Sequence, residues 1–442
     1  MKQAIQKHRT ELFWGFLFLV QLLIFLSLEP YTEIDTASYF VDPFAVNLAR
    51  TPVYPFMIWL CRLIAGNHWA QFLCILQFAV SFLSCAALYS AFRLLHVGER
   101  GSKIAILFYG FNIAVFPWNG ILLTESLSLS LTAIYVYFCA LLTCKSENDG
   151  HYFAQILGIS ALTLVMTFLR PTFAVLIPIS CFLCIYAAFK RKILCWQKIS
   201  AVSLLFLAIL GCVFGYAYRV KEQFGYFTLS SILTSQQYCQ VIQQDLHLHI
   251  EPNSITNFIE AQGLEQDPLL TGYEIVAQFP ADEVQATLKE IVQNDFLPYV
   301  GGRIQAYAES LSLPFGRRPH YSTGLLALPG LALSGISYVL LPPIPFGTAA
   351  PLALAGLVVL LLVLRKKKEF DMVLFGSSFY VLLTIGSTMF GTMDDYARTA
   401  ISCFPFLFIL VLRSIVLVKE VYFHPTQAGL NETGASEMSQ SR

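Results

Sequence analysis

"TGLLALPGLALSGISYVLLPPIP", residues 323–345, is apolar along its length yet interrupted by glycine and proline. Together with the run at 348–364 it offers either one membrane crossing or two. The choice decides which side of a membrane receives everything downstream. It turns on "RKKK" (365–368), because basic loops stay on the cytoplasmic side. Two crossings would send these cations outside and flip the loop at 391–398. A single crossing keeps them with the other basic segments: the head (Lys2, Lys7, Arg9), the loop with Arg93, Arg100 and Lys103, and "KRKILCWQK" (190–198). We therefore read 348–364 as the span, and 323–345 as an interfacial or re-entrant segment on the outer side.

Working outward from that choice, the rest of the chain falls into place. It has 442 residues, 56% hydrophobic and 13% charged, with a formal net charge of zero. A soluble globule has no use for so much apolar surface, and the apolar residues lie in blocks long enough to cross the hydrocarbon layer. Such blocks stand at 12–28, 68–92, 103–118, 121–143, 152–169, 172–189, 198–218, 348–364, 370–390 and 399–418. The expectation is an all-α polytopic membrane protein of about ten helices with both ends inside. No small-residue cleavage site follows the first block, which is read as a retained span.

Residues 1–218 then form an N-terminal membrane core with its first outer loop at 29–67. Residues 219–347 form a small outer, periplasmic subdomain with the interfacial segment, 348–418 the C-terminal membrane helices, and 419–442 a cytoplasmic tail. Short outer turns are expected near Trp118 and Arg170. There is no internal repeat. Of the 11 cysteines only Cys239 lies in the large outer segment, so no disulfide is expected within it. The chain lacks a zinc-type Cys/His spacing, a glycine-rich phosphate loop and a basic nucleic-acid patch.

The chemistry-bearing residues gather on the expected outer face. "EPYTEIDTASYF" (29–40) carries Glu33 and Asp35, with Tyr39 four residues on; in an α-helix Asp35 and Tyr39 share a face. The plain alternative is a solvated loop. "RTPVYP" (50–55) sets Arg50 before Thr51 as N-cap and Pro52 as first helical residue, predicting a helix to about Ile64. A helix start attracts anions, and a guanidinium adds a forked donor suited to phosphate. "FLRPT" places Arg170 likewise, and "DDYARTAISCFPF" puts Asp394 and Arg398 just ahead of the last span. One such arginine is an ordinary headgroup anchor. Three on one face favour a shared anionic ligand, for which a phosphate borne on a lipid is the natural candidate. Glu125, in "NGILLTESLSLSL", lies in the outer half of a span and needs a partner there. It either pairs with Arg170 or Arg50, or orients a polar sugar or a metal.

In this order, Asp35 and Tyr39, then R-T-P-V-Y-P with Tyr54, then Glu125, R-P-T at 170–172 and Arg398 with Pro405, the sequence resembles the GT-C class of membrane glycosyltransferases. The nearest branch is the protein O-mannosyltransferase-like one, which includes bacterial lipopolysaccharide-modifying enzymes. "EIVQNDFLPYVGGRIQAYAESL" (290–311) resembles the helix closing the outer segment in many members. The resemblance implies a GT-C-like helical bundle and an enzyme that moves a sugar from a polyprenyl-phosphate donor to a hydroxyl of a glycolipid, glycan or protein. It implies Asp35 as catalytic base, and donor contacts from Arg50, Tyr39, Tyr54, Glu125, Arg170, Arg398 and Asp394. Many members carry Asp-Glu where this chain has Asp35-Thr36, which weakens the carry-over of a metal ligand. No metal motif is present, and a divalent cation is left open.

The chemistry stands without the family. A lipid phosphate leaves readily, so an acceptor must be deprotonated and the phosphate charge stabilised; attack opposite the phosphate inverts the anomeric centre. The competing readings are a lipid-linked sugar flippase or transporter, expected to carry charges near the bilayer midplane, and a non-catalytic relative. No N-x-S/T sequon falls in an outer region; the only one, at Asn431, is in the expected tail. That favours a bacterial inner membrane. Sugar, acceptor and carrier length are not legible.

Overall fold

The computed structural model describes residues 2–144, 151–191, 196–262, 267–341, 343–367, 370–392 and 395–423. Among these residues there are helices and isolated bridge pairings, and no strand. Among the described residues, nine helical stretches are long and apolar enough to cross a membrane. The chain is an all-α, multi-pass integral membrane protein.

The first half contains α1 (Lys2–Leu26), α2 (Val53–Ala65), α3 (Trp69–Leu94), α4 (Glu99–Gly110), α5 (Glu125–Cys144), α6 (Tyr152–Leu169), α7 (Leu176–Lys190) and α8 (Trp196–Phe224). The expected helix after Arg50 forms, but Pro52 is its N-cap and no side chain caps it. Thr51 instead donates its hydroxyl to the Leu169 carbonyl at 3.4 Å. α2 turns back at Gly66 onto α3, where the Tyr54 hydroxyl meets Gln77 Oε1 at 3.1 Å. Gln77 in turn donates to the carbonyls of Trp118 and Ile121, at 3.1 and 3.0 Å.

The expected span at 103–118 is corrected. α4 has 12 residues, about 18 Å of helix, against a hydrocarbon layer of about 30 Å. The crossing is made nevertheless, alongside α1. Thr10 contacts Glu99 and Lys103 at one end, Gln21 Nε2 donates to Gly110 O at 3.0 Å in the middle, and Tyr31 bridges Ile121 at the other end. Beyond Gly110 the chain leaves the α-helical path, and the residues from Val115 to Thr124 are buried in protein. Non-helical backbone at membrane depth is tolerated only under such cover. The outer turn expected near Trp118 is therefore enclosed; Trp118 is almost fully buried.

α8 continues past residue 218 into the outer segment, which holds α9 (Ile232–Gln243), α10 (Ser254–Gln262), α11 (Pro268–Gln278), α12 (Ala281–Asn294) and α13 (Phe296–Ser310). Asp267 caps α11 through Leu269 N–H, and Pro268 takes the first position. α12 buries Val284, Leu288 and Ile291, the helical spacing of an apolar stripe. These join Val220, Tyr226, Tyr238, Ile255 and Ile275 in an apolar core separate from that of the bundle. Val46 of the first outer loop is part of that core. Next to it, Ser231 N–H donates to Leu48 O at 2.8 Å, and the Ser230 hydroxyl donates to Ala49 O.

The last part contains α14 (Ala327–Leu340), α15 (Ala349–Lys367), α16 (Met372–Gly391), α17 (Tyr396–Thr399) and α18 (Phe404–Val418). α14, in the segment 323–345, has 14 residues and packs on α1, Gly330 N–H donating to Ser27 Oγ at 3.0 Å. Further along, Ser337 donates to the Phe111 carbonyl. The chain then returns to where it entered: Phe315 N–H donates to Ile344 O, and Phe346 N–H to Leu313 O. Leu328, Leu331, Ile336 and Val339 are exposed, as side chains facing lipid tails would be. At the opposite end of the bundle Arg413 pairs with Asp371 at 2.7 Å and donates to Leu95 O.

Candidate functional site

Four elements deliver charge to one place, at the end of the bundle that carries the α9–α13 subdomain. The residues 34–39 form a 3-10 helix, not an α-helix, held by Glu33 N–H donating to Thr36 Oγ1 and Thr36 donating to Leu122 O. With three residues per turn, Asp35 shares a face with Ser38 rather than with Tyr39. Arg50 gathers all of them. Its Nε donates to Ser38 Oγ at 2.7 Å, its Nη1 to the Tyr39 hydroxyl at 2.9 Å, and its Nη2 lies 3.6 Å from Asp35 Oδ1. Arg50 is set from behind, because Asn47 Oδ1 accepts its backbone N–H at 2.8 Å and residues 48–49 are tied to the subdomain.

Arg398 stands opposite. Its Nη2 donates to Asp35 Oδ2 at 2.6 Å, and its Nε lies 2.8 Å from Asp395 Oδ2 and 3.7 Å from Glu125 Oε1. Glu125, 4% exposed, is the first residue of α5, where the helix dipole favours its negative charge. Its Oε1 also lies 3.6 Å from Arg170 Nη1, while its Oε2 has no hydrogen-bond partner. Arg170, Glu125, Arg398, Asp35 and Arg50 thus form one chain of alternating charge, with Asp395 attached to Arg398.

Burial pushes the Asp35 carboxyl up, but the charges of Arg398 and Arg50 outweigh it. Helped by the Arg398 hydrogen bond and the more distant Arg170, they hold the group below its ordinary value. Asp35 is ionised at neutral pH.

Asp35, Arg50, Tyr39, Glu125, Arg170 and Arg398 are brought together. Tyr54 is not: it is fully buried, bonds Gln77, and reaches the cluster only by packing edge-on against the Tyr39 ring at 4.9 Å. Asp394 lies outside the described residues; its neighbour Asp395 is the acid on Arg398. Arg398 does not immediately precede the last long helix either. It sits in the one-turn helix α17, followed by a 3-10 turn at 400–403. Glu33 points away, paired with Arg317 at 2.7 Å.

Sequence reasoning gives the subdomain a part in acceptor binding but misses Ser38, Asp395 and the subdomain residues that reach the cluster. Tyr273 of α11 faces the cluster, hydrogen-bonded to the Gln236 side chain; burial pushes its phenol up, against the pull of Arg50. It gets there because α11 lies so close on α9 that a Cβ at Gly272 would meet Ser235 O at 2.4 Å. Arg303 of α13, fully buried, joins both sides. It donates to Thr392 O at 2.8 Å, just ahead of the Asp395–Arg398 turn, and to Gln236 O at 3.3 Å. The only available signal for Arg303 and Tyr273 was their helical spacing, which does not reveal what lies across the fold.

Among the described residues no group of three or more His, Cys, Asp or Glu could hold a metal ion. Asp35, Glu125 and Asp395 each face a guanidinium.

No family model matches the chain, and no curated protein matches it. Among solved structures it is similar to the Archaeoglobus fulgidus oligosaccharyltransferase in complex with Zn and sulfate, with a TM-score of 0.41 and 11% identity over 96% of this chain and 47% of that one. It is also similar to the archaeal oligosaccharyltransferase AglB from Archaeoglobus fulgidus in complex with an inhibitory peptide and a dolichol-phosphate, with a TM-score of 0.44 and 11% identity over 93% of this chain and 51% of that one. The chain spans about half the length of these structures, and likeness at this level assigns no activity.

Proposed function

We propose that the chain is a GT-C-type membrane glycosyltransferase. It moves a sugar from a polyprenyl-phosphate donor to a hydroxyl of a glycolipid, glycan or protein on the outer, periplasmic face. The observation that carries this reading is the Asp35 carboxylate, its side chain 32% exposed, held between Arg398 and Arg50. A single constellation supplies a proton acceptor and a forked cationic seat for a phosphate.

In this reading the donor phosphate lies on Arg50 and Arg398, and Arg170 supports them through Glu125. Asp35 accepts the proton of the acceptor hydroxyl, whose oxygen bonds to the anomeric carbon. The bond from that carbon to the phosphate oxygen breaks with its electron pair, and the guanidiniums take up the new charge. Attack from the face opposite the phosphate inverts the centre. In this reading the subdomain, which reaches the cluster through Tyr273, takes the acceptor side. A flippase reading is disfavoured by position, because the charges cluster at helix ends rather than at mid-depth.

Mass spectrometry of surface glycolipids and glycoproteins, with and without the gene, tests this. A sugar-bearing species present with the wild type should vanish on deletion and stay absent with Asp35→Asn, whose turnover should fall by roughly 10²–10⁴-fold. An unchanged glycan profile on deletion overturns the enzyme reading. Restoration by Asp35→Asn moves the base elsewhere.

A further inference from the structure

The two guanidiniums assigned above to a donor phosphate already hold an anion. Arg398 Nη2 meets Asp35 Oδ2 at 2.6 Å and Arg50 Nη2 lies 3.6 Å from Oδ1, so one carboxylate spans both. The remaining acids are placed differently. Asp395 touches only Arg398, and Glu125 approaches Arg398 and Arg170 from within the bundle at 4% exposure. Asp35 sits on the outer side, its side chain 32% exposed, where an incoming ligand would arrive. A phosphate seeking both forks meets Asp35 first.

We infer that Asp35 is the resident anion of the phosphate seat, so that the donor's phosphate and Asp35 exchange places on Arg50 and Arg398 during each turnover. This rests on the glycosyltransferase reading and gives Asp35 a second task there. A sugar-bearing phosphodiester carries one negative charge, as Asp35 does, so the exchange leaves the seat's charge unchanged. Once displaced, Asp35 has lost its two guanidiniums and stands near an anion. Both changes raise its proton affinity from the depressed value it has in the ligand-free site.

The groups facing it are Arg50 and Tyr39 from the first outer loop, Arg398 and Asp395 from the turn at 395–399, Glu125 from α5, Arg170 from the end of α6, and Tyr273 from α11. Only the two contacts to Arg50 and Arg398 are exchanged. After transfer Asp35 carries the acceptor's proton, is neutral, and does not compete for the arginines. When that proton passes to water the carboxylate regains its charge, reclaims both forks, and expels the lipid phosphate. Base activation and product release become two halves of one exchange.

The test uses the full-length protein in nanodiscs and isothermal titration with farnesyl monophosphate and, separately, inorganic phosphate. Asp35→Asn should bind farnesyl monophosphate roughly tenfold tighter than wild type, about 1.4 kcal/mol. Asp395→Asn, which removes an equal charge from Arg398 alone, should gain less. A second readout uses the wild type: carbodiimide labelling of Asp35, followed by peptide mass spectrometry, should rise several-fold when farnesyl monophosphate is bound. Affinity for farnesyl monophosphate well above that for inorganic phosphate marks a lipid-borne ligand, while equal affinities mark a free phosphate as occupant of the same seat. Binding by the wild type with neither a gain in Asp35→Asn nor faster labelling overturns the exchange and leaves the transferase reading standing. No binding of either phosphate by the wild type removes the seat itself, and both readings fall.

Discussion

At the scale of single residues, Arg398 shows why side-chain shape matters as much as charge. Its guanidinium reaches Asp35 with Nη2 and Asp395 and Glu125 with Nε, three directions from one planar group. An ammonium is a compact point charge and cannot hold that fan. Arg398→Lys should therefore weaken farnesyl monophosphate binding by about tenfold or more, about 1.4 kcal/mol, and Arg398→Ala should cost about 2–5 kcal/mol, as for a desolvated charge pair that loses one partner. Arg170→Lys should cost less, since Arg170 reaches the cluster through Glu125 at 3.6 Å. Calorimetry on both variants checks the order, and equal small losses would mark both arginines as membrane anchors. Much of this cluster is legible in the sequence, because an arginine or glutamate at a helix end in an apolar run must find a partner. Ser38, Asp395, Gln236 and Tyr273 are not legible in that way. They are common polar residues whose role arises only from where distant segments meet.

At the scale of elements, hydropathy finds where a chain can be buried but not where its helix stops. The run at 103–118 is predominantly apolar, yet α4 ends at Gly110. Asn112 turns back on the chain there, its Oδ1 accepting Ala114 N–H, and Pro117 falls inside a 3-10 turn. Gln21, a polar residue buried on α1, closes the α4 end by donating to Gly110 O. Its place is tight, since a Cβ on Gly110 would come 2.5 Å from Gln21 Nε2. Gln21→Leu should orphan a buried carbonyl and cost about 1–3 kcal/mol. Thermal unfolding in detergent reads this, and an unchanged midpoint would show that water or a neighbour replaces the amide. The segment 323–345 is the opposite case. Its glycines and prolines announce a break, and α14 indeed packs by Gly330 against Ser27 and returns to the end it left.

At the scale of the whole molecule, the α9–α13 subdomain is more than a cover. Its own core takes in Val46, it anchors residues 48–49 just ahead of Arg50, and through Arg303 it holds the chain just ahead of Asp395 and Arg398. The sequence announces such a subdomain by its polar length, but the stitches run between residues 89 (Arg303 to Thr392) and 181 (Ser230 to Ala49) positions apart and leave no local pattern. Sidedness rests on the basic loops. Single cysteines introduced at the exposed positions Glu260, Arg100 and Lys366 test it: 260 should react with an impermeant maleimide in intact cells, and 100 and 366 only after permeabilisation. Labelling of 366 from outside would reverse the C-terminal helices and take Arg398 to the other face.

The crossing that is helical for only half its depth also bears on how the chain is made. A nascent segment leaving the ribosome enters lipid alone, and there its open carbonyls and the side chain of Asn119 have nothing to bond. Their partners are supplied later or from elsewhere: Asn119 Oδ1 accepts the Ser126 hydroxyl of α5, and Gln77 of α3 takes the carbonyls of Trp118 and Ile121. Residues 99–121 therefore gain a stable transmembrane position only once α5 has emerged beside α1 and α3, so the chain inserts here as a cooperative group of helices rather than one at a time.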